Sequence, residues 1–158
     1  MNIYLAGRYS RRLELCGYRE QLRGLGHTVD AVWLNGEHQI SDTGEPIGET
    51  GEALVKMSDD GREGFYANAS AKAAALRLKF AEDDFADVQA CDLLIAFTEQ
   101  PRAAGGRNRG GRHVELGIAI GQGKRVIIVG PRENLFCWLP EIDQFDTWVS
   151  CLKYLVEA

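Results

Sequence analysis

Residues 105–123 read GGRNRGGRHVELGIAIGQG, and the reading of this stretch decides the fold. Four glycines and three arginines lead into an apolar helical pattern with Glu115 near its start. Gly121 and Gly123 punctuate its end, before the β-branched run KRVIIV at 124–129. On the other side lies CDLLIAF, residues 91–97, the near-continuous apolar run expected of a central parallel strand covered on both faces. Strand, glycine-rich loop, helix and strand make a βαβ unit with a right-handed crossover. Open α/β sheets place ligands at the loops after their strands, and a helix start there suits an anion. A carboxylate at that point is hard to explain by packing, so Glu115 is a candidate catalytic group and the loop before it the substrate holder.

The remaining elements extend this unit. NIYLA at 2–6 is a short strand closed by Gly7. Ser10 can cap a helix running to about Leu25, with Leu13, Cys16, Leu22 and Leu25 on its buried side. HTVDAVW at 27–33 reads as a second strand. From 35 to 68 the periodicity disappears among glycines and acids, which leaves a loop that either closes over the site as a lid or stays solvated. Ser70 starts a strong helix to about Ala90, on which Leu76, Phe80, Asp84 and Val88 form one i,i+4 row. Asp84 interrupts that apolar row, so it is either the margin of the stripe or an acid held toward the ligand crevice. Residues 136–139 are apolar and suit an edge, 143–148 a last strand, and 149–156 a closing helix. The expected fold class is α/β, one domain over 1–158, with a Rossmann-like parallel sheet of about five strands flanked by helices.

Bulk properties narrow the function. A net charge of −5 argues against gripping a nucleic-acid backbone, which needs a broad basic surface. The arginines at 102, 107, 109 and 112 form a local basic patch suited to a small anionic ligand. The four cysteines have no CxxC spacing and only three histidines accompany them, so no metal site is expected and the cysteines read as reduced, small hydrophobes. No apolar run reaches the ~18 residues of a spanning helix, and Met1 leads directly into a strand pattern, so a cytoplasmic protein away from membranes is expected.

The opening IYLAG, the Asp84…Asp92 spacing in DDFADVQACDLLIAF, and HVELGIAIGQGKRVIIV resemble, in this order, the nucleoside 2-deoxyribosyltransferase-like family of nucleoside and nucleotide N-glycosidases. The resemblance covers about half the chain. It implies a flavodoxin-like sheet of order 2-1-3-4-5, a homodimer or higher homo-oligomer, a small nucleotide or nucleoside as partner, and no cofactor. By position it makes Glu115 the nucleophile, Asp84 the acid that handles the base and its proton, and Tyr4 a residue that positions the nucleophile. One departure stands out: the transferases carry a further acid six residues before the nucleophile, where this chain has Arg109.

Cleaving an N-glycosidic bond builds positive charge on the sugar and negative charge on the departing base. A carboxylate beneath the anomeric carbon stabilises or bonds to the first, and an acid with a raised pKa protonates the second. Glu115, in the first helical turn, is expected to be ionised. Asp84, on an apolar face, is expected to hold the proton. Gly7, Arg8 and Ser10 after the first strand, with Arg107, Arg109, Gly111 and Arg112, are expected to bind the substrate and its phosphate. His113 is an accessory residue, and Asp92, at the opposite end of the sheet, reads as structural. The favoured reading is hydrolysis of a nucleoside 5′-monophosphate or related phosphorylated nucleoside. A deoxyribosyltransferase, cleavage of nicotinamide from a dinucleotide, and a non-catalytic nucleotide-sensing module remain open alternatives.

Overall fold

The computed structural model describes residues 1–36, 38–46, 69–99 and 110–157. Its elements are β1 (Ile3–Ala6), α1 (Arg12–Gly24), α2 (Ala71–Ala90), β2 (Leu93–Phe97), α3 (Gly111–Gly121), β3 (Arg125–Val129), β4 (Ile142–Phe145) and α4 (Trp148–Glu157). All neighbouring strands are parallel, in the order β1-β2-β3-β4. Every residue of β1 and β2 is buried. That is the reason for their unbroken apolar sequence, since each Leu, Ile or Phe side chain removed from water contributes about 1.5–3 kcal/mol.

The sheet has four strands where five were expected. The 27–33 segment contributes a single parallel bridge, Thr28 to Asn2, on the outer edge of β1. Ile3 N donates to the Thr28 carbonyl, and Thr28 N donates to that of Met1. The chain then turns away into a short 3-10 turn, Val32–Asn35. Further along the same edge of β1, the Leu5 carbonyl receives the Trp33 indole N–H at 3.0 Å. The alternation in the sequence was a real burial pattern, because Val29, Ala31 and Trp33 are all buried. A side chain has taken the place of the ladder.

The helices form two layers. Tyr18 of α1 stacks on Trp148 of α4 at 4.5 Å and on Phe97 of β2 at 5.4 Å, so α1 and α4 share one face. On the other face α2 packs against α3, and α3 reaches β1, β2 and β3. The Ser70 hydroxyl caps α2 by accepting from Ala73 N. Ser10 does not cap α1; it sits in the 3-10 turn Tyr9–Arg11, and α1 starts at Arg12. The buried side of α1 is Arg12, Leu15 and Leu22, whereas Leu13 and Leu25 are exposed. Of the expected row, Leu22 is buried and Cys16 packs, partly buried, against the core, and Leu15 takes the place of Leu13. In 136–139 Cys137 is buried and Leu139 packs, partly buried, against the core, whereas Phe136 and Trp138 face solvent.

Cys91, Cys137 and Cys151 are buried and Cys16 partly so, all four unbridged. No helix among the described residues is long and apolar enough to cross a membrane. Among the same residues, no group of three or more His, Cys, Asp or Glu is arranged to hold a metal ion. The expected lid falls largely on 47–68, outside the described residues.

Candidate active site

Three elements on one face of the sheet bring Tyr4, Asp84 and Glu115 together. Tyr4, fully buried in β1, donates its hydroxyl to Glu115 Oε1 at 3.1 Å. Glu115 projects from α3. Asp84 comes from α2, on the inner row with Phe80 and Val88, and its negative charge acts on both Glu115 and Tyr4. Asp87, one turn further along α2, accepts from Val32 N at 2.7 Å and so ties α2 to the 3-10 turn that carries Trp33. The two acids proposed from sequence thus share one side of the sheet.

Their electrostatics differ from the expectation. Burial and then the charge of Asp84 raise the Glu115 carboxyl to about 8, against the smaller opposing influences of the Tyr4 hydrogen bond and the Arg112 charge. At neutral pH Glu115 is therefore mostly protonated. Two effects explain the reversal. The helix begins at Gly111, so Glu115 lies beyond the first turn, where the dipole fades. A desolvated carboxylate next to another negative charge is also strongly disfavoured. Burial, reinforced by the charges of Glu115 and Asp84, likewise lifts the Tyr4 hydroxyl well above its ordinary value, so it remains a donor. Burial raises Asp87 as well, against the hydrogen bond from Val32.

A second cluster occupies the carboxyl ends of the strands. Arg8 Nη1 donates to Glu99 Oε2 at 2.7 Å. Glu99 N donates to Glu133 Oε1 at 2.8 Å. Arg112, with a nearly buried side chain, donates to the Phe97 carbonyl at 3.0 Å and to Glu133 Oε2. His113 Nδ1 lies 3.3 Å from the Asn134 amide nitrogen, and its Nε2 3.8 Å from Glu133. Arg112 therefore anchors the start of α3 to two strand ends, one turn before Glu115. Gly130 makes this junction possible: at φ +116° its backbone suits glycine, and a Cβ there would meet the Thr98 carbonyl oxygen and Oγ1 at 2.6 Å.

The other expected substrate residues are placed as follows. Gly7 is explained by packing, since a Cβ would meet Leu15 Cδ2 at 2.7 Å. Ser10 is exposed in the turn before α1, and Gly111 is the exposed first residue of α3. Arg102, Arg107 and Arg109 lie outside the described residues. Asp92 accepts from Asn2 N at 2.7 Å, at the opposite end of the sheet from Arg8 and Arg112, a structural tie as read from sequence.

The sequence reading missed Glu99, Glu133 and His38. The two glutamates sit in connections between elements, with no pattern to mark them. His38 lies in the aperiodic stretch after Trp33, yet its side chain is 5% exposed and its Nε2 stands 3.3 Å from Asp84 Oδ1.

No protein-family model and no curated protein sequence matches this chain. Among solved structures it is similar to the Clostridium botulinum CMP N-glycosidase BcmB, with 17% identity over 98% of this chain and 98% of that one, at a TM-score of 0.48. At that identity and score the likeness carries no assignment of activity.

Proposed function

We propose that this protein is an N-glycosidase that cleaves the base–sugar bond of a nucleoside 5′-monophosphate or related phosphorylated nucleoside. The observation that carries the reading is the enclosed Glu115 carboxyl, fixed by the Tyr4 hydroxyl and raised by the charge of Asp84. The charge of Asp84 acts on Glu115, and the mechanism passes the proton of Glu115 between these two acids. That is the inventory the reaction needs. As positive charge builds on the sugar, the negative charge is drawn to Glu115 and its proton goes to Asp84. The C1′–N bond breaks while C1′ bonds to a Glu115 oxygen, and the base leaves with the proton from Asp84. Water then adds to C1′, frees Glu115, and returns a proton to the pair. Tyr4 holds one Glu115 oxygen, leaving the other for the anomeric carbon. Arg8, beside the ends of β1 and β2, and the arginines at 107 and 109 support an anionic substrate, with Arg112 held by Glu133.

Hydrolysis is favoured over transfer because Arg109 stands where the transferases carry a further acid. The reading includes a one-domain chain, assembly as a homo-oligomer and a cytoplasmic location. The test is chromatographic detection of free base from nucleosides, their 5′-monophosphates and NAD, with and without a second base as acceptor. Release from monophosphates alone, lost in Glu115→Gln, is expected. A new nucleoside formed with the acceptor would make it a transferase. No release from any substrate, with ligand still bound, would make it a sensing module and overturn the proposal.

A further inference from the structure

His38 is a buried titratable group that the mechanism above leaves unused. Its ring stacks on Phe80 at 4.5 Å and 28°, and Phe80 lies one turn before Asp84 on the same row of α2. Its Nε2 stands 3.3 Å from Asp84 Oδ1. That approach is not a formed hydrogen bond: among the described residues, both ring nitrogens and Asp84 Oδ1 are buried without a hydrogen-bond partner. Buried polar atoms in native proteins are nearly always satisfied, so three orphans side by side call for a polar partner. They adjoin the acid assigned to the leaving base. Asp84 faces the ring, Asp87 lies one turn further along α2, and the charge of Asp84 also acts on Glu115 of α3.

We infer that His38 is a positioning residue for Asp84: with its ring held on Phe80, it fixes the carboxyl so that the proton of Asp84 meets the leaving nucleobase. This rests on the N-glycosidase reading. Phe80 sets the plane of the ring and the ring sets the carboxyl. A substrate edge with a donor and an acceptor, such as that of a nucleobase, would satisfy the orphaned atoms. His38 touches Asp84 rather than the reacting bond, so its effect is confined to substrates whose leaving group needs that proton.

The test compares two substrate types with wild type, His38→Gln, Asp84→Asn, the double variant and Glu115→Gln. One substrate is a natural nucleoside 5′-monophosphate. The other carries 4-nitrophenolate in place of the base, a group that departs without protonation. On the nucleotide, His38→Gln should lower kcat by about 10- to 100-fold with little change in KM, the loss expected when a catalytic group is misplaced by about an ångström. On the nitrophenyl substrate it should fall less than about 3-fold, whereas Glu115→Gln should lose both activities. In the Asp84→Asn background, His38→Gln should add nothing. Equal losses on both substrates, or losses that multiply in the double variant, would overturn the role of His38 while leaving the glycosidase reading intact. Wild type inactive on both would instead overturn that reading. Thermal melts separate misfolding from either result, and Phe80→Leu, which removes the stacking shelf, should reproduce the leaving-group dependence if His38→Gln fails to fold.

Discussion

Glu115→Gln should change how stability depends on pH. The glutamate carboxyl moves from an ordinary 4.5 to about 8 on folding. A raised acid is protonated in the native state while the unfolded chain ionises, so the native state binds more protons between these values. Its contribution to stability is full below 4.5 and is lost as pH rises through about 8. At about 1.36 kcal/mol per pH unit the full span is worth about 4–5 kcal/mol. Of this, about 3–4 kcal/mol falls between pH 5 and pH 8, and water entering the crevice reduces it toward about 2. Glutamine keeps an acceptor for the Tyr4 hydroxyl and cannot ionise. Thermal melts of both proteins at pH 5 and pH 8 should therefore show the variant gaining on wild type by about 4–14 °C at the higher pH, taking 2–4 °C per kcal/mol for a chain of this size. Other titrating groups are common to both proteins and cancel to first order. A wild-type–variant difference that stays constant with pH, or moves in wild type's favour, would refute the buried, charge-coupled Glu115.

The same proton governs turnover: kcat/KM should fall above about pH 8, as Glu115 loses its proton, and a profile flat to pH 9.5 would contradict this. Tyr4→Phe removes the hydroxyl that steadies Glu115 and should cut kcat by about 10- to 100-fold, read in the base-release assay. Arg112→Met leaves the nearly buried Glu133 with only the Glu99 N–H and the more distant His113, and chemical denaturation should report a loss of up to about 3–5 kcal/mol. Gly130→Ala forces a side chain into a left-handed backbone against Thr98; about 1–3 kcal/mol is expected from the backbone alone, and an unchanged melting temperature would count against the contact.

Much of the framework was legible because it rests on periodicity. CDLLIAF could hardly be other than a covered strand, Ser70 both starts and caps α2, and the glycines around HVELGIAI bracket α3. What failed was decided by single contacts without a sequence signature. The Trp33 indole displaces a strand from the edge of β1, yet a tryptophan at that position also fits a strand. Ser10 looks like a cap, but a 3-10 turn intervenes before α1. In the site, spacing places Asp84 and Glu115 on inner faces, which is enough to bring them together. It does not reveal how deeply Glu115 is enclosed, so its carboxyl was expected to be ionised, whereas burial and then the charge of Asp84 raise it to about 8. His38 arrives from an aperiodic segment, where nothing in one dimension points to Asp84.

The most direct measurement of the central claim is covalent trapping. A nucleoside 5′-monophosphate fluorinated at C2′ destabilises the oxocarbenium character and slows release of the sugar from the enzyme. Intact-protein mass spectrometry followed by peptide mapping should show one sugar phosphate per chain, attached at Glu115 and absent from Glu115→Gln. An adduct at another residue, or base release that persists in Glu115→Gln, would contradict the account.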